Sequence, residues 1–250
     1  MEIESAKSQH MLEDEKILNE IIENADISEN EKILEIGAGT GNLTKLLAEK
    51  SKEVVSFEVD EKFKEILKEI KNKNKNLEII FDSCLNYSWT KFDKIIANIP
   101  YFLSEAILIK AINSEIKNLV LVVGERLKEK LLGEDKIGLI VKKFYEVKPI
   151  IKIEKEKFNP VPRVNSWMIK LEKKKEISEL DKMLLEIVLN KGKIKNSIIK
   201  SLTSRGYTKN QSRDVLEKLK LYIPVKEKPT QRITAKLLKN IEEELGKELK

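Results

Sequence analysis

Short apolar runs alternate with amphipathic stretches from Lys32 onward. Each apolar run has the length of a strand, and the stretches between the runs have the hydrophobic period of helices. This alternation is typical of a parallel sheet with helices on both faces. We therefore predict an α/β fold whose strands include KILEIG, EVVSFEVD, NLEIIF, FDKIIANIPY and NLVLVV.

The pattern changes in the later part of the chain. The segment IIKIEKEKFNPVPRVNSWMIKLE predicts two strands around a proline-rich turn, at an antiparallel edge of the sheet. A charged stretch, EKKKE at 172–176, has the composition of a linker, and only helical periods follow it. We therefore predict two domains: residues 1–172, which contain the sheet, and residues 177–250, which form a small α-helical domain.

Positive charge is concentrated in the helical part. The 250 residues carry a formal net charge of +6. Residues 172–250 contain 20 Lys and Arg against 12 Asp and Glu, whereas the first 171 residues contain 28 against 30. This asymmetry indicates a polyanionic partner, with nucleic acid the first candidate. A solvated helical surface would give the same charge, so charge alone leaves both interpretations open.

The composition excludes several classes of protein. Cys84 is the single cysteine and His10 the single histidine, so the chain has no intrachain disulfide and no cluster for a zinc site. We expect no catalytic metal. No apolar run has the length of a transmembrane helix, and the N-terminal MEIESAKSQHML lacks the pattern of a secretion signal. We therefore expect a reduced, cytoplasmic protein with no membrane partner.

The segment ILEIGAGTGN places Gly37, Gly39 and Gly41 at a strand-to-helix turn. Glycine allows a tight bend there and lets a ligand approach the backbone. A nicotinamide fingerprint needs a third glycine at position 42, which is Asn42. Glu58 ends the next strand, where a carboxylate can accept both hydroxyls of an adenosine ribose. The order of these features favours S-adenosylmethionine over a helix-entry turn with a surface acid.

The strand that ends in ANIPYF carries the candidate chemistry. Ligands bind at the carboxyl ends of strands in such a sheet. The Asn98 side-chain oxygen, with a main-chain carbonyl near Ile99 or Pro100, can accept hydrogens from an exocyclic amine and direct its lone pair at a methyl group. Pro100 stiffens the loop, and Tyr101 offers a face for an extruded base, where Phe102 can help. An ordinary turn after a strand is the alternative.

Several segments together resemble motifs of one enzyme family. SQHML at 8–12 resembles its N-terminal Gly-Gln-(His/Asn)-Phe-Leu, and EIGAGTGNLT, FEVD and NIPYFLS resemble its glycine loop, ribose motif and amine-handling motif. FNPVPRVNS at 158–166 resembles Phe-x-Pro-x-Pro-x-Val-x-Ser, which is the most specific pattern of the set. A weaker likeness lies in KPTQRITAKLL near the C-terminus. The family is that of the ribosomal RNA adenine dimethyltransferases, which includes the erythromycin-resistance enzymes.

The resemblance implies a Rossmann-like S-adenosylmethionine methyltransferase sheet in residues 1–172 and a basic, RNA-binding helical domain in residues 177–250. It implies that the N-terminal arm touches the cofactor and that Phe158 holds a flipped base, although Phe158 could equally be a core residue. The resulting candidates for cofactor binding are His10, Leu12, Gly37, Gly39, Glu58, Asp82, Ser83 and Asn98. The candidates for catalysis are Asn98, Pro100, Tyr101 and Phe158.

This chain departs from the family pattern in places. Ser8 replaces the usual glycine, and Asp82-Ser83-Cys84 stands where the family has Gly-Asp-Ala. Without gaps, Ser83 takes the place of the aspartate that binds the adenine amine of the cofactor. Either Asp82 substitutes for that aspartate, or adenine recognition is weaker. The Tyr-Gln-x-Glu-x-Ala-x-Arg segment has become VVGERLKEK.

We consider functions from different classes. The first is an S-adenosylmethionine-dependent rRNA methyltransferase that modifies the exocyclic amine of a flipped base, most simply an adenine of the small subunit, as free rRNA or a pre-ribosomal particle. The alternatives are a cytosine amine in rRNA, a catalytically weakened RNA-binding assembly factor and a DNA amino-methyltransferase. We expect a monomer. The predicted phosphate contacts are Lys191, Lys193, Lys195, Lys200 and Arg205.

Overall fold

The computed structural model describes residues 10–219 and 226–249, so Ser8 and Gln9 of the N-terminal motif lie outside the described residues. Contacts divide the chain into two compact units. The first ends at residue 129 and resumes over 145–173, and the second contains 130–144 and the chain from 174 onward. Among the described residues, no helix combines the length and apolar character needed to cross a membrane.

The first unit is built on a seven-stranded sheet. Its strands are β2 (Lys32–Ile36), β3 (Glu53–Phe57), β4 (Leu77–Ile80), β5 (Lys94–Asn98), β6 (Asn118–Gly124), β7 (Tyr145–Ile153) and β9 (Ser166–Lys173). Helix α1 (Glu15–Ala25) precedes the sheet, and the helices between its parallel strands are α2 (Asn42–Lys50), α3 (Lys64–Lys73) and α4 (Ser104–Ile112). The spatial order is β4-β3-β2-β5-β6-β9-β7, and the first five strands are parallel.

Strand β2 lies between β3 and β5: the chain runs outward from β2 through β3 to β4 on one side, and then returns to place β5 and β6 on the other side. The strand order therefore reverses at β2, and ligands of doubly wound sheets bind at such a reversal, beyond the carboxyl ends of the strands. Strands β2 and β5 end there at Ile36 and Asn98. The topology thus brings the glycine turn and the NIPY segment to one edge of the sheet.

The predicted antiparallel edge is confirmed. Strand β9 pairs antiparallel with both β6 and β7, so that Ser166 faces Gly124 on one side and Ile153 on the other. The two-stranded sheet formed by β1 (Met11–Leu12) and β8 (Phe158–Asn159) was not predicted. It joins the N-terminal arm to the proline-rich turn, more than 140 residues away in sequence.

A buried apolar cluster supports this arrangement. It includes Ile33 on β2, Val54 on β3 and Ile96 on β5, each at 0% exposure. Leu12 and Phe158 of the two-stranded sheet belong to the same cluster. Apolar burial of this kind is the main favourable contribution to folding. The close packing of the cluster also restricts movement of the strands whose carboxyl ends carry the glycine turn and the NIPY segment.

The second unit is helical. Helix α5 (Glu125–Leu132) leads into it, and its other helices are α6 (Lys136–Phe144), α7 (Glu179–Leu189), α8 (Ile194–Thr203), α9 (Lys209–Lys218) and α10 (Ala235–Glu248). Side chains of Ser178, Thr208 and Thr234 cap the N-termini of α7, α9 and α10. Lys143 on α6 is 3.1 Å from Asp181 on α7 and 2.5 Å from Glu242 on α10, which links residues 130–144 to the helices that follow the sheet.

Candidate active site

A cleft of about 780 Å³, including the solvent at its mouth, opens at the carboxyl ends of β2, β3 and β5. Nine of the predicted site residues line the cleft, and they come from the N-terminal arm, the glycine turn, the segments after β3 and β4, and the NIPY segment. They are His10, Gly37, Gly39, Glu58, Asp82, Ser83, Asn98, Pro100 and Tyr101.

The glycine turn fits closely against its neighbours. Gly37 has a φ of +81°, and a Cβ atom there would lie 3.7 Å from the Asn98 carbonyl oxygen and from Cδ of Pro100. Gly39 has a φ of +54°, and a Cβ atom there would lie 2.4 Å from the Met11 sulfur. A side chain at Gly39 would therefore make the Met11 side chain move, and the positive φ of Gly39 independently favours glycine at this position.

The Glu58 carboxylate is held in place in the cleft by backbone hydrogen bonds. The side chain is 5% exposed, and the carboxylate accepts three backbone hydrogen bonds of 2.8 Å. Oε2 accepts from the Gly39 amide, and Oε1 accepts from the amides of Val59 and Asp60. A carboxylate offers about four acceptor directions, so one direction on Oε2 is left for a ligand hydroxyl.

The residues around Glu58 fit an adenosine-type cofactor. The glycine turn lacks side chains that would fill the cleft next to the carboxylate. Phe57, Val59 and Leu103 provide apolar walls, and Val59 is 55% exposed. Such a cofactor requires a carboxylate for its ribose, backbone without side chains for its amino-acid part and apolar walls for its base.

The Asn98 side chain has a defined orientation. Its Nδ2 donates to the main-chain oxygen of His10 at 2.9 Å. The arm that supplies this oxygen is held by a 2.7 Å contact between the His10 ring nitrogen Nδ1 and the Pro160 oxygen. Because the amide nitrogen is engaged by the arm, the amide oxygen is the atom left to accept a hydrogen bond from a ligand.

The main-chain acceptors of the NIPY segment differ in availability. The Pro100 oxygen accepts from the Leu103 amide at 3.0 Å and from the Ser104 hydroxyl at 3.3 Å. The Ile99 amide donates to Val122 at 3.2 Å, whereas the Ile99 oxygen accepts no hydrogen bond from the described part of the chain. Of the two carbonyls named from the sequence, that of Ile99 is therefore the free acceptor.

Two aromatic side chains border the cleft after Pro100, whose φ is −58°. Tyr101 is half-buried, and its hydroxyl lies 2.7 Å from the Ser166 hydroxyl. Burial raises the pKa of Tyr101, although the hydrogen bond to Ser166 works in the opposite direction. Phe102 is 58% exposed. An exposed aromatic ring at a cleft can stack on a base, so Phe102 is a stronger candidate than the sequence indicated.

Phe158 and Leu12 lie elsewhere. Phe158 is 3% exposed within the apolar cluster, where β8 pairs it with Leu12, and it does not line the cleft. Leu12 borders a smaller neighbouring cavity shared with Glu35 and Asn98. The placement of Phe158 matches its interpretation as a core residue, and a role in holding a base stays a prediction.

Asp82 and Ser83 both line the cleft. The Asp82 oxygen Oδ1 accepts from the Ser83 amide at 2.6 Å and from Asn86 at 3.1 Å. The Ser83 hydroxyl accepts from the Leu85 amide at 3.3 Å. Both side chains therefore stabilise their own loop as well as facing the cleft. Cys84 also lines the cleft, but burial raises the pKa of its thiol to about 11, which disfavours a thiolate nucleophile.

Glu35 is a notable residue that the sequence did not single out. It lies on β2 behind the glycine turn, is 1% exposed, and accepts a 2.5 Å hydrogen bond from Ser56. Burial raises the pKa of Glu35 to about 7, the Ser56 hydrogen bond lowers it, and the charge of Glu58 raises it further. A buried acid in a strand cannot be recognised from a single sequence, because its neighbours come from other strands.

The five predicted phosphate contacts are not equivalent. Lys193 and Lys195 both form ion pairs with Glu227, and Arg205 forms one with Glu186 at 2.7 Å. Lys191 and Lys200 are exposed, border one cavity of the helical unit, and form no ion pair with the described residues. Their charge is therefore the most available to an anionic partner.

Comparisons with known proteins agree with these features. The model of the family described as ribosomal RNA adenine dimethylase matches residues 2–234. A probable ribosomal RNA small subunit methyltransferase A of Methanosphaera stadtmanae is 38% identical over 192 residues, which are 74% of this chain and 70% of that protein. The ribosomal RNA small subunit methyltransferase A of Borreliella burgdorferi is 32% identical over 235 residues, 88% of this chain and 84% of that protein.

Solved structures show the same fold. A dimethyladenosine transferase from Plasmodium falciparum superposes with a TM-score of 0.68 and 26% identity, covering 95% of this chain and 98% of that one. The 23S rRNA methyltransferase ErmE superposes with a TM-score of 0.65 at 21% identity, covering 94% and 99%. The Rossmann-like methyltransferase fold and the family predicted from the sequence are both confirmed. The chain belongs to the ribosomal RNA adenine dimethylase family.

Proposed function

We propose that this protein is an S-adenosylmethionine-dependent rRNA methyltransferase that dimethylates the exocyclic amine of an adenine in small-subunit rRNA. The observation that carries the proposal is that Glu58 and Asn98, the candidate ribose acceptor and amine acceptor, open onto one cleft. Family membership supports the reaction, and the relatives named as small subunit methyltransferases support the substrate.

The cofactor is held by the glycine turn and its surroundings. Glu58 Oε2 accepts a hydrogen bond from the ribose, and the backbone of Gly37 and Gly39 admits the methionine part. Asp82 is the better acceptor for the adenine amine, because a carboxylate accepts from an amine more strongly than the hydroxyl of Ser83 does. When bound, S-adenosylmethionine supplies an electrophilic methyl group on a sulfonium sulfur.

The protein's role in the transfer is to align the amine. An exocyclic amine is a weak nucleophile because its lone pair is delocalised into the base. The Asn98 oxygen and the Ile99 oxygen accept its two hydrogens and hold the lone pair toward the methyl group. With the cofactor bound, these two oxygens would hold the nitrogen in line with the methyl–sulfur bond, so that the nitrogen–carbon bond could form as the carbon–sulfur bond breaks, which would leave a neutral thioether and pass the surplus proton of the amine to solvent.

The same alignment serves a second transfer. After the first methylation, one hydrogen remains on the nitrogen, and the Asn98 or Ile99 oxygen can still orient it. Tyr101 and Phe102 border the cleft where the base must enter, and stacking there compensates for the loss of stacking in the RNA. The half-buried Tyr101 supports the base from within, and the exposed Phe102 covers it from the mouth.

RNA is held largely through its phosphates. Lys191 and Lys200 provide the principal contacts of the helical unit, since Lys193, Lys195 and Arg205 are already paired with carboxylates. Phosphate contacts give a salt-dependent affinity with little sequence discrimination. The target is recognised by the flipped base and by RNA shape. We place the protein in the cytoplasm, as a monomer acting on rRNA or a pre-ribosomal small subunit.

Two alternatives to adenine methylation are a cytosine target and an RNA-binding assembly factor without activity. A cytosine amine could be aligned by the same two acceptors, but the family and its named relatives favour adenine. An RNA-binding assembly factor without activity would not need the hydrogen-bonded Glu58 or the oriented Asn98 amide.

Mass spectrometry of rRNA nucleosides from a strain that lacks the gene tests the proposal. We expect dimethyladenosine to disappear from the small-subunit rRNA and to return when the wild-type gene is restored. Loss of a methylated cytidine would support the cytosine alternative. An unchanged set of modified nucleosides would contradict the proposed activity, and calorimetry with S-adenosylmethionine would then show whether the chain still binds the cofactor.

A further inference from the structure

The ring of Tyr101 is held from two directions by residues outside its own segment. Its hydroxyl lies 2.7 Å from the Ser166 hydroxyl, which is fully buried at the start of β9. Within the described residues, the Ser166 hydroxyl has no other hydrogen-bond partner. A buried hydroxyl that loses its partner carries a desolvation cost, so each of these two groups stabilises the position of the other.

The second contact is made by Gly124 at the end of β6, opposite Ser166 in the strand register. A Cβ atom on Gly124 would lie 3.4 Å from three atoms of the Tyr101 ring, namely Cδ1, Cδ2 and Cε2. The ring face therefore rests against the Gly124 backbone. Gly124 is buried and its φ is not positive, and a Cβ atom at 3.4 Å would make an ordinary van der Waals contact with the ring, so the position has room for one methyl group and for little more.

Tyr101 follows directly after the NIP segment, so the position of its ring is coupled to that of Asn98 and Ile99 through a short, proline-stiffened loop. Catalysis that depends on alignment is sensitive to displacements of about 1 Å. A shift of the ring would therefore disturb the surface that receives the base, without touching the Glu58 side of the cleft.

We propose that Ser166 and Gly124 are positioning residues: they fix the Tyr101 ring and thereby set the placement of the target base for methyl transfer. The inference rests on the proposed function, and it assigns a role to the last residue of the FNPVPRVNS segment. Neither residue lines the cleft, so both act through Tyr101.

A double-mutant cycle tests the coupling. Ser166→Ala, Tyr101→Phe and the double variant are assayed with tritiated S-adenosylmethionine and small-subunit rRNA from a strain that lacks the gene. Each single variant should lower kcat about tenfold, because each leaves one buried hydroxyl without its partner. The double variant should be no slower than the single variants. The KM for RNA and the calorimetric Kd for S-adenosylmethionine should stay within about twofold of wild type.

Ser114→Ala is the matched control. Ser114 is also a buried serine of the first unit, and its hydroxyl donates to Ala111 away from the cleft. Its substitution should lower the unfolding temperature without changing kcat. Gly124→Val provides an independent variant in case Ser166→Ala does not fold, since it adds two methyl groups beyond a Cβ that would already touch the ring at 3.4 Å, and it should also lower kcat with an unchanged cofactor Kd.

The outcomes separate this inference from the proposed function. Wild-type turnover by Ser166→Ala, or single effects that multiply in the double variant, would overturn the positioning role while the methyltransferase activity stands. An equal loss of kcat in Ser114→Ala would also overturn it, because the effect would then reflect general destabilisation. Absence of methyl transfer by the wild-type protein would overturn both.

Discussion

Replacement of Glu58 by glutamine separates the two ways in which this carboxylate contributes. Its oxygens accept three backbone N–H groups, one on Oε2 and two on Oε1. An amide has one acceptor atom and one donor atom, so Glu58→Gln must point its NH2 group at N–H donors on one side. The substitution therefore either places NH2 against the Gly39 amide and removes the ribose acceptor, or keeps an uncharged oxygen there and places NH2 against the amides of Val59 and Asp60.

The expected magnitude follows from this geometry. One hydrogen bond from a ribose hydroxyl to a carboxylate contributes about 1.5–3 kcal/mol, which corresponds to a loss of about 10- to 100-fold in cofactor affinity. Glu58→Ala loses the same bond in every orientation and also leaves the amides of Gly39, Val59 and Asp60 without their carboxylate acceptor. We therefore expect both variants to weaken cofactor binding, with Glu58→Ala at least as damaging as Glu58→Gln.

Isothermal titration calorimetry with S-adenosylmethionine measures this effect directly. Glu61→Gln is a suitable control, because Glu61 is an exposed acid just beyond the same strand whose hydrogen bond is to Lys64. The Kd of Glu61→Gln for S-adenosylmethionine should equal that of wild type. A Kd for Glu58→Ala within threefold of wild type would refute the assignment of Glu58 as the ribose acceptor.

Two further predictions concern stability and RNA binding. The pKa of Glu35 is raised to about 7, so the stability associated with its neutral form is present below about pH 4.5 and is lost as the pH rises through 7. Urea unfolding should show that the free energy of unfolding of the wild type falls by about 3 kcal/mol between pH 4.5 and pH 8, and that this fall is absent in Glu35→Gln. An equal fall in both proteins would contradict the assignment of the pH dependence to Glu35. Filter binding should show that the Lys191→Ala/Lys200→Ala variant binds RNA more weakly and with less salt dependence, whereas Lys193→Ala binds RNA almost as well as wild type. Equal effects would contradict the distinction between unpaired and ion-paired lysines.

Much of the fold was predictable because its signals are local. The parallel strands are continuous apolar runs, and the helices between them have a clear period. The two-stranded sheet of β1 and β8 was not predictable, since two-residue strands carry no period and their partners lie far apart in sequence. The same applies to residues 130–144, because their buried apolar side chains and the ion pairs of Lys143 are made with helices that come much later in the chain.

The candidate site shows the same division. Glu58 and Asn98 were predictable because each directly follows or ends a buried strand of a parallel sheet, and such ends meet. The hydrogen bond from Asn98 to the His10 oxygen was not, because it depends on where the N-terminal arm packs. The pairing of Arg205 with Glu186 likewise removes a cation that charge counting alone assigned to RNA.

The central claim is that the Asn98 amide aligns the target amine and does not hold the cofactor. Single-turnover methylation of small-subunit rRNA by Asn98→Ala, measured beside calorimetry with S-adenosylmethionine, tests it most directly. We expect the rate to fall by about 100-fold or more while the cofactor Kd stays within about threefold of wild type. Methylation at close to the wild-type rate, or a loss explained by weaker cofactor binding, would contradict the claim.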